Sequence, residues 1–184
     1  MTEPDTVARG HVPQIVRRPA TEAQARALAS GTRLRILRLC LSEALSNKEI
    51  ATRLQRNPAS VLHHVRTLVD TGFLVAQPAR RGVRGAREVP YLATGLSYLV
   101  DLDEWPVRRS DAALEAFLEE VAAVGQEQLS SARLGLRLPP DQIAEFRERL
   151  QELLDEFARR PMDPDGERWS LYFGIHPEAA PDPS

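Results

Sequence analysis

The sequence predicts a mainly α fold with a small β-hairpin (α+β), and three observations carry that prediction. Apolar residues recur at spacings of three and four along most of the chain, the period of helices with one buried face. Residues suited to helix caps stand just ahead of several of those stripes. One stretch, 73–93, is broken by a Gly- and Arg-containing loop and reads as two strands of a hairpin. The chain has 184 residues, 42% hydrophobic and 27% charged, which suits one domain with an appended unit. No apolar run reaches the ~18 residues of a membrane span, and the first ten residues lack the apolar core of a secretory signal. A cytoplasmic protein with no membrane partner is therefore expected. The lone cysteine, Cys40, excludes an internal disulfide framework and a Cys-rich zinc site.

The net charge of -2 conceals two unlike halves. Residues 1–100 hold 15 Arg/Lys and 7 Asp/Glu, a balance of +8, whereas residues 101–184 hold 9 and 19, a balance of -10. A basic half joined to an acidic half points to a polyanion as partner of the first.

Residues 1–20, with Pro4, Gly10, Pro13 and Pro19, read as a flexible lead-in. Thr21-Glu-Ala-Gln24 has capping-box form and starts the first helix, which Ser30-Gly31 breaks. Arg33 to Leu41 follows as a helix with Leu34, Leu37 and Leu41 on one face and Ile36 and Cys40 on an adjoining one. Ser46-Asn-Lys-Glu49 is a second capping box, opening a short helix over about 47–55. Asn57 suits the cap of the next helix and Pro58 its first position, where a missing N–H costs nothing. That helix, 58–71, buries Val61, Val65 and Leu68 and stops at Gly72. Two capped helices joined by so short a turn form a helix-turn-helix.

Strands at 73–77 and 88–93, the second with Pro90 suited to an edge position, flank a loop over 78–87 bearing four arginines. A basic-tipped hairpin straight after a helix-turn-helix is a wing. A polar connector, 101–106, leads to a helix over 110–133 with the stripe Leu114, Phe117, Val121 and Val124. Another helix, opening at Leu138-Pro-Pro-Asp141, carries Ile143, Phe146, Leu150, Leu153, Leu154 and Phe157. Trp169-Ser-Leu-Tyr-Phe-Gly174 alternates like a last strand, and 177–184 reads as a disordered tail.

These residues resemble the winged-helix transcriptional regulators of the ArsR (arsenical-resistance repressor) type. The likeness runs through Arg33-Leu-Arg-Ile-Leu-Arg-Leu39, Leu45-Ser-Asn-Lys-Glu-Ile-Ala-Thr-Arg-Leu54, Ser60-Val-Leu-His-His-Val-Arg-Thr-Leu68, Thr71-Gly-Phe-Leu74 and Tyr91-Leu-Ala-Thr94. It covers about 21–95, the expected winged helix-turn-helix DNA-binding domain. Residues 96–176 then form a helical dimerisation region that also offers a place for an effector. The resemblance implies a dimeric repressor that leaves its operator on a signal. Metal sensors of this kind place paired cysteines near the helix before the turn, or His with Asp or Glu on the dimer helix. Here 45–49 has no cysteine and 110–133 no histidine, so neither a metal nor another cofactor is expected.

For double-stranded DNA the candidate contacts follow from the outward face of helix 58–71. Ser60 and His63 are candidate base contacts, Leu62 suits a thymine methyl, and Arg66 a phosphate or a guanine edge. Asn57 lies at the helix start. His64 aligns with a histidine common in the resembled family, where packing or a phosphate contact is its usual role. His63-His64 is a poor metal pair, because neighbours on a helix point about 100° apart. In the wing, Arg80, Arg81, Arg84 and Arg87 are candidates for phosphate or minor-groove contact. No motif of an enzyme is present, and the carboxylates over 141–156 repeat as a solvent face. The expected protein is a sequence-specific DNA-binding regulator, a dimeric repressor on a palindromic operator; a winged helix used for protein contact in a transcription or chromosome-maintenance assembly is the alternative. The stripes of the two C-terminal helices either cover one another in a monomer or leave apolar area for a two-fold dimer through 21–29 and 111–133, the arrangement expected. Trp105, Trp169, Tyr172 and Phe173 either fill the core of this half, the more frequent use of such residues, or line an apolar effector pocket.

Overall fold

A computed structural model of the chain describes residues 15–82, 86–102, 109–163 and 165–177. The elements in chain order are β1 (Arg18–Pro19), α1 (Glu22–Leu28), α2 (Gly31–Leu39), β2 (Leu45–Ser46), α3 (Asn47–Leu54), α4 (Pro58–Asp70), β3 (Leu74–Ala76), β4 (Arg80–Arg81), β5 (Arg87–Glu88), β6 (Pro90–Ala93), α5 (Leu96–Leu99), β7 (Val100–Asp101), α6 (Arg109–Val124) and α7 (Pro140–Ala158). This is a winged helix-turn-helix followed by a helical region, the α+β fold expected.

Local chemistry sets the helix starts. Thr21 and Ser46 each close a capping box, with Gln24 and Glu49 as the reciprocal partners. The Asn57 side chain accepts from the Ala59 N–H at 2.8 Å, and Pro58 follows it. Gly72 has φ +79°, the left-handed conformation that favours glycine just past a helix end. Leu28, Ile36, Cys40, Leu45, Ile50, Val61, Val65, Leu68 and Val100 are fully buried and form one core with Phe73. Burial pushes the Cys40 thiol up to about 12, so it stays protonated and packs as a small apolar residue.

Several expectations change. Leu41 is exposed and Ile36, Leu37 and Cys40 form the buried face, because α2 ends at Leu39 and Leu41 no longer follows its period. Pro90 is not at an edge. β6 is the central strand of the antiparallel sheet β2-β6-β3, with Leu45 opposite Tyr91 and Val75 opposite Leu92. Proline is tolerated there as the first residue of the strand, and its carbonyl accepts from the Gln77 N–H at 2.8 Å. The lead-in does not run to residue 20: Arg18 and Pro19 pair in parallel with Val100 and Asp101, and Ala20 is buried. Residues 1–14 and 178–184, where the rest of the lead-in and nearly all of the tail fall, lie outside the described residues.

The C-terminal region departs most. α6 stops at Val124, where Gly125 takes φ +93°, instead of continuing to 133. It meets α2 with its small residues, Ala112 and Ala116, at Gly31. A Cβ on Gly31 would stand 3.5 Å from the Ala112 carbonyl oxygen, so the two backbones approach closely. Arg35 pairs with Glu119, and Arg38 with Glu120 at 3.3 Å, across the same contact. Three large apolar residues of α6 are left outside: Leu118 is 57% exposed, and Leu114 and Val124 are exposed too, while Phe117 and Val121 are half-buried. On α7 only Asp155 is buried, while Phe146, Leu153 and Phe157 are exposed. α6 and α7 therefore do not cover one another's stripes. Nor does α1 offer apolar surface for a dimer, because Ala25, Ala27 and Leu28 are already in the core.

The final strand does not form. Residues 167–177 have no regular structure, because no neighbouring strand pairs with them. Instead Ser170 donates to Glu120 at 2.6 Å and Tyr172 stacks on Phe117 at 5.5 Å. Trp169, at 73%, and Phe173 are exposed and so do not fill a core. Trp105 lies outside the described residues.

Candidate nucleic-acid interface

The two helices of the motif are joined by Gln55, Arg56 and Asn57. Gln55 takes φ +53°, a left-handed conformation unusual for a residue with a Cβ. It ends α3, and the Asn47 amide donates to the Pro58 carbonyl at 2.9 Å across the turn. With Val61, Val65 and Leu68 in the core, Asn57, Ser60, His63 and Arg66 are exposed along the opposite face of α4. Leu62 and His64 are half-buried on its flanks. Structure and sequence agree on which side of this helix faces out.

His64 differs in character from His63. Its Nδ1 is buried without a hydrogen-bond partner among the described residues. Burial, then the charges of Arg33, His63 and Arg56, hold its imidazole below the ordinary histidine range. Its ring therefore favours the neutral form. The two rings lie 5.8 Å apart and tilted. Among the described residues no group of three or more His, Cys, Asp or Glu is placed to hold a metal ion, and no helix is long and apolar enough to cross a membrane.

Part of the basic surplus of the first half is neutralised by carboxylates of the second. Arg35, Arg38 and Arg56 pair with Glu119 and Glu120 of α6, and Arg53 pairs with Glu43 at 2.9 Å. On α3, α4 and the wing, Lys48, Arg66, Arg81 and Arg87 have no carboxylate partner among the described residues. These four share the surface formed by the motif and its wing; Arg18, on β1, is likewise exposed and without a carboxylate partner among the described residues.

In the wing, β4 and β5 pair antiparallel, with Arg80 opposite Glu88 and Arg81 opposite Arg87. Two like charges directly opposite across a ribbon repel, and an anion between them removes that cost. A concavity of about 440 Å³ lined by Ala79, Arg80, Arg81 and Arg87 opens at this place. Arg80 itself is engaged, with Nη2 on both Glu49 oxygens at 2.7 and 2.6 Å. Arg84 lies outside the described residues. Sequence reasoning missed the Glu49–Arg80 pair, which joins positions 31 apart and leaves no local signal.

Residues 28–81 match the family model described as "Helix-turn-helix domain". No curated protein matches the chain. Among solved structures, reduced HlyU from Vibrio cholerae is 24% identical, over 44% of this chain and 80% of that one, with a TM-score of 0.35. The homodimeric winged helix-turn-helix DNA-binding domain of Mb0332 from Mycobacterium bovis is 25% identical, over 60% and 82%, with a TM-score of 0.33. ZitR from Lactococcus lactis, in complex with DNA, is 20% identical, over 69% and 74%, with a TM-score of 0.32.

Proposed function

We propose that the chain is a sequence-specific, DNA-binding transcriptional regulator of ArsR-like type, a dimeric repressor acting on a palindromic operator. The observation that carries the reading is the coincidence of the exposed face of α4 with the unpaired cations. Ser60, His63 and Arg66 reach outward from a helix free to enter the major groove, while Arg81 and Arg87 oppose one another in the wing beside it. A phosphate between those two guanidiniums relieves a repulsion that the free protein bears.

In this reading α4 supplies base contacts through Ser60, His63 and Arg66, with Leu62 against a thymine methyl and Asn57 capping the helix. Arg81, Arg84 and Arg87 track the backbone. Residues 21–95 are the DNA-binding unit and 96–176 the assembly region. Leu114, Leu118, Phe146, Leu153 and Phe157, which are exposed in the single chain, are covered by a second copy. A two-fold dimer sets its recognition helices about one DNA turn apart, roughly 34–36 Å. Release from DNA answers to a small molecule rather than to zinc or arsenite, since 45–49 carries no cysteine.

Binding to a labelled duplex of genomic sequence, compared with random duplex, tests the reading. The expected result is preference for particular sites, lost in part on His63→Ala or Ser60→Ala, with a bidentate contact contributing about 1–3 kcal/mol and a single one less. No binding to any duplex would favour the protein-contact module, for which the exposed apolar faces of α7 and 169–175 would be the surface.

A further inference from the structure

We propose that Arg80 is a positioning residue, which fixes the root of the wing to the first turn of α3, and is not one of the wing's phosphate contacts. The DNA arm of this inference rests on the reading above; its structural arm does not.

Glu49 is already fixed before the wing reaches it. Its carboxylate accepts the Ser46 N–H at 2.7 Å as half of the capping box that starts α3. Arg80 then places one nitrogen on both carboxylate oxygens, and its other terminal nitrogen lies 3.5 Å from the Ala44 carbonyl. The guanidinium therefore joins β4 to the turn ahead of α3 and to the helix itself. The β2–β6 ladder, with Ser46 opposite Pro90, already holds the base of the hairpin beside α3. But β4 itself pairs with β5, and the backbone bonds nearby, Gln77 N–H to Pro90 and Gly82 N–H to Ala86, run within the hairpin. Among the described residues Arg80 is what joins β4 to α3.

Charge argues the same way. If Arg80 swung onto a phosphate, Glu49 would be left as a bare anion on the helix-turn-helix, beside a polyanion. Kept in place, Arg80 neutralises Glu49 and leaves Arg81 and Arg87, the unpaired cations of the same ribbon, to meet DNA. An arginine is needed because a planar fork can engage the carboxylate and the Ala44 carbonyl together; a lysine presents a point charge on a flexible stem.

The test compares Arg80→Gln, Arg80→Lys, Glu49→Gln and the Glu49→Gln/Arg80→Gln double variant, with Arg81→Gln and Arg87→Gln as references. Gln at position 49 still completes the capping box, so only the ion pair is removed. Amide hydrogen exchange of the DNA-free protein at Gly82 and Gln77 reads the wing root. Exchange should rise about two- to fivefold, the range of an exposed ion pair, in all three single variants at 49 and 80, and no further in the double. In DNA binding, Arg80→Gln and Arg80→Lys should raise Kd by a similar factor without changing the slope of log K against log salt. Arg81→Gln and Arg87→Gln should each make that slope shallower by about 0.9. Unchanged exchange at Gly82 in Arg80→Gln would overturn the proposal, whatever DNA does. So would a slope shallower by about 0.9 in Arg80→Gln with wild-type behaviour in Arg80→Lys, which is how a phosphate contact behaves. If no variant and no wild-type protein binds DNA, the functional reading fails and the exchange result still decides the role of Arg80.

Discussion

The winged-helix unit and the C-terminal region carry apolar stripes of similar regularity, yet they use them differently. Val61, Val65 and Leu68 of α4 are fully buried within their own chain, whereas Leu153 and Phe157 of α7 are 51% and 56% exposed. The electrostatics invert in parallel. α6 presents Glu119 and Glu120 to the arginines of α2, which quenches that side of the basic half, while Arg66 of α4 and Arg81 and Arg87 of the wing have no carboxylate partner among the described residues. The first region is finished as a single chain and the second is not, which is why the second is read as the place of assembly.

The largest effect that separates the regions comes from one substitution in the first and a pair in the second. Leu68→Ala should cost about 2–5 kcal/mol of unfolding free energy, the range for a leucine deleted from a packed core, and the loss should not depend on protein concentration. Leu153→Asp with Phe157→Asp should leave the winged-helix unit folded and shift the light-scattering mass from near twice 20.5 kDa to a single chain. A wild-type chain that is monomeric at micromolar concentration would remove the basis of the contrast.

The join between the regions is the next place to press. Asp155 is the one fully buried carboxylate among the described residues. It accepts from the Ile15 N–H, Arg17, Tyr98 and Gln151 at 2.7–2.8 Å, which ties α7 to the segment before β1 and to α5. Burial pushes this carboxyl up, but the four hydrogen bonds together outweigh burial and hold it far below the usual carboxylate range. A depressed folded-state pKa stabilises above the unfolded value of about 3.9, and that contribution is lost as pH falls below it. Attachment of α7, followed by exchange at the Ile15 amide, should therefore loosen in acid below about pH 4. Asp155→Asn presents an amide donor to donors and should cost about 3 kcal/mol of local stability. Retained protection at Ile15 in that variant would show that α7 is held by something else.

A smaller effect sharpens the wing. In the free protein Arg81→Gln should stabilise the β4–β5 pairing by about 0.2–1 kcal/mol, because it removes the charge facing Arg87. The same change should weaken DNA binding at low salt more than at high salt. Smallest is Gln55→Gly, where relief of the left-handed strain and the added freedom of the unfolded glycine oppose each other. A shift of more than about 1 kcal/mol either way would mean that the turn depends on the Gln55 side chain.

What could be read before the structure follows the range of the physics involved. The caps at Thr21, Ser46 and Asn57 and the outward set Ser60, His63 and Arg66 were legible, because a cap and a helical period act within a few residues. β2 was not: Leu45 and Ser46 are a strand only because Tyr91 and Pro90 lie opposite. Pro90 was misplaced at an edge for the same reason. The alternation of 169–174 is real, but a strand needs a partner and the single chain supplies none. Asp155 sits among apolar neighbours on α7, a signal that could have been noticed, but its partners Ile15, Arg17 and Tyr98 are remote in sequence. The Arg80–Glu49 tie and the closure of α2 by α6 are likewise contacts between distant positions.

The central claim is that α4 and the wing meet a nucleic-acid backbone, and salt dependence tests it most directly. Binding of the full chain to duplex DNA should fall steeply as salt rises, log K declining with log salt by about 0.9 for each phosphate contacted. Arg81→Gln and Arg87→Gln should each lower that slope while leaving base preference intact. Weak binding that does not respond to salt, or a slope untouched by both wing variants, would contradict the account.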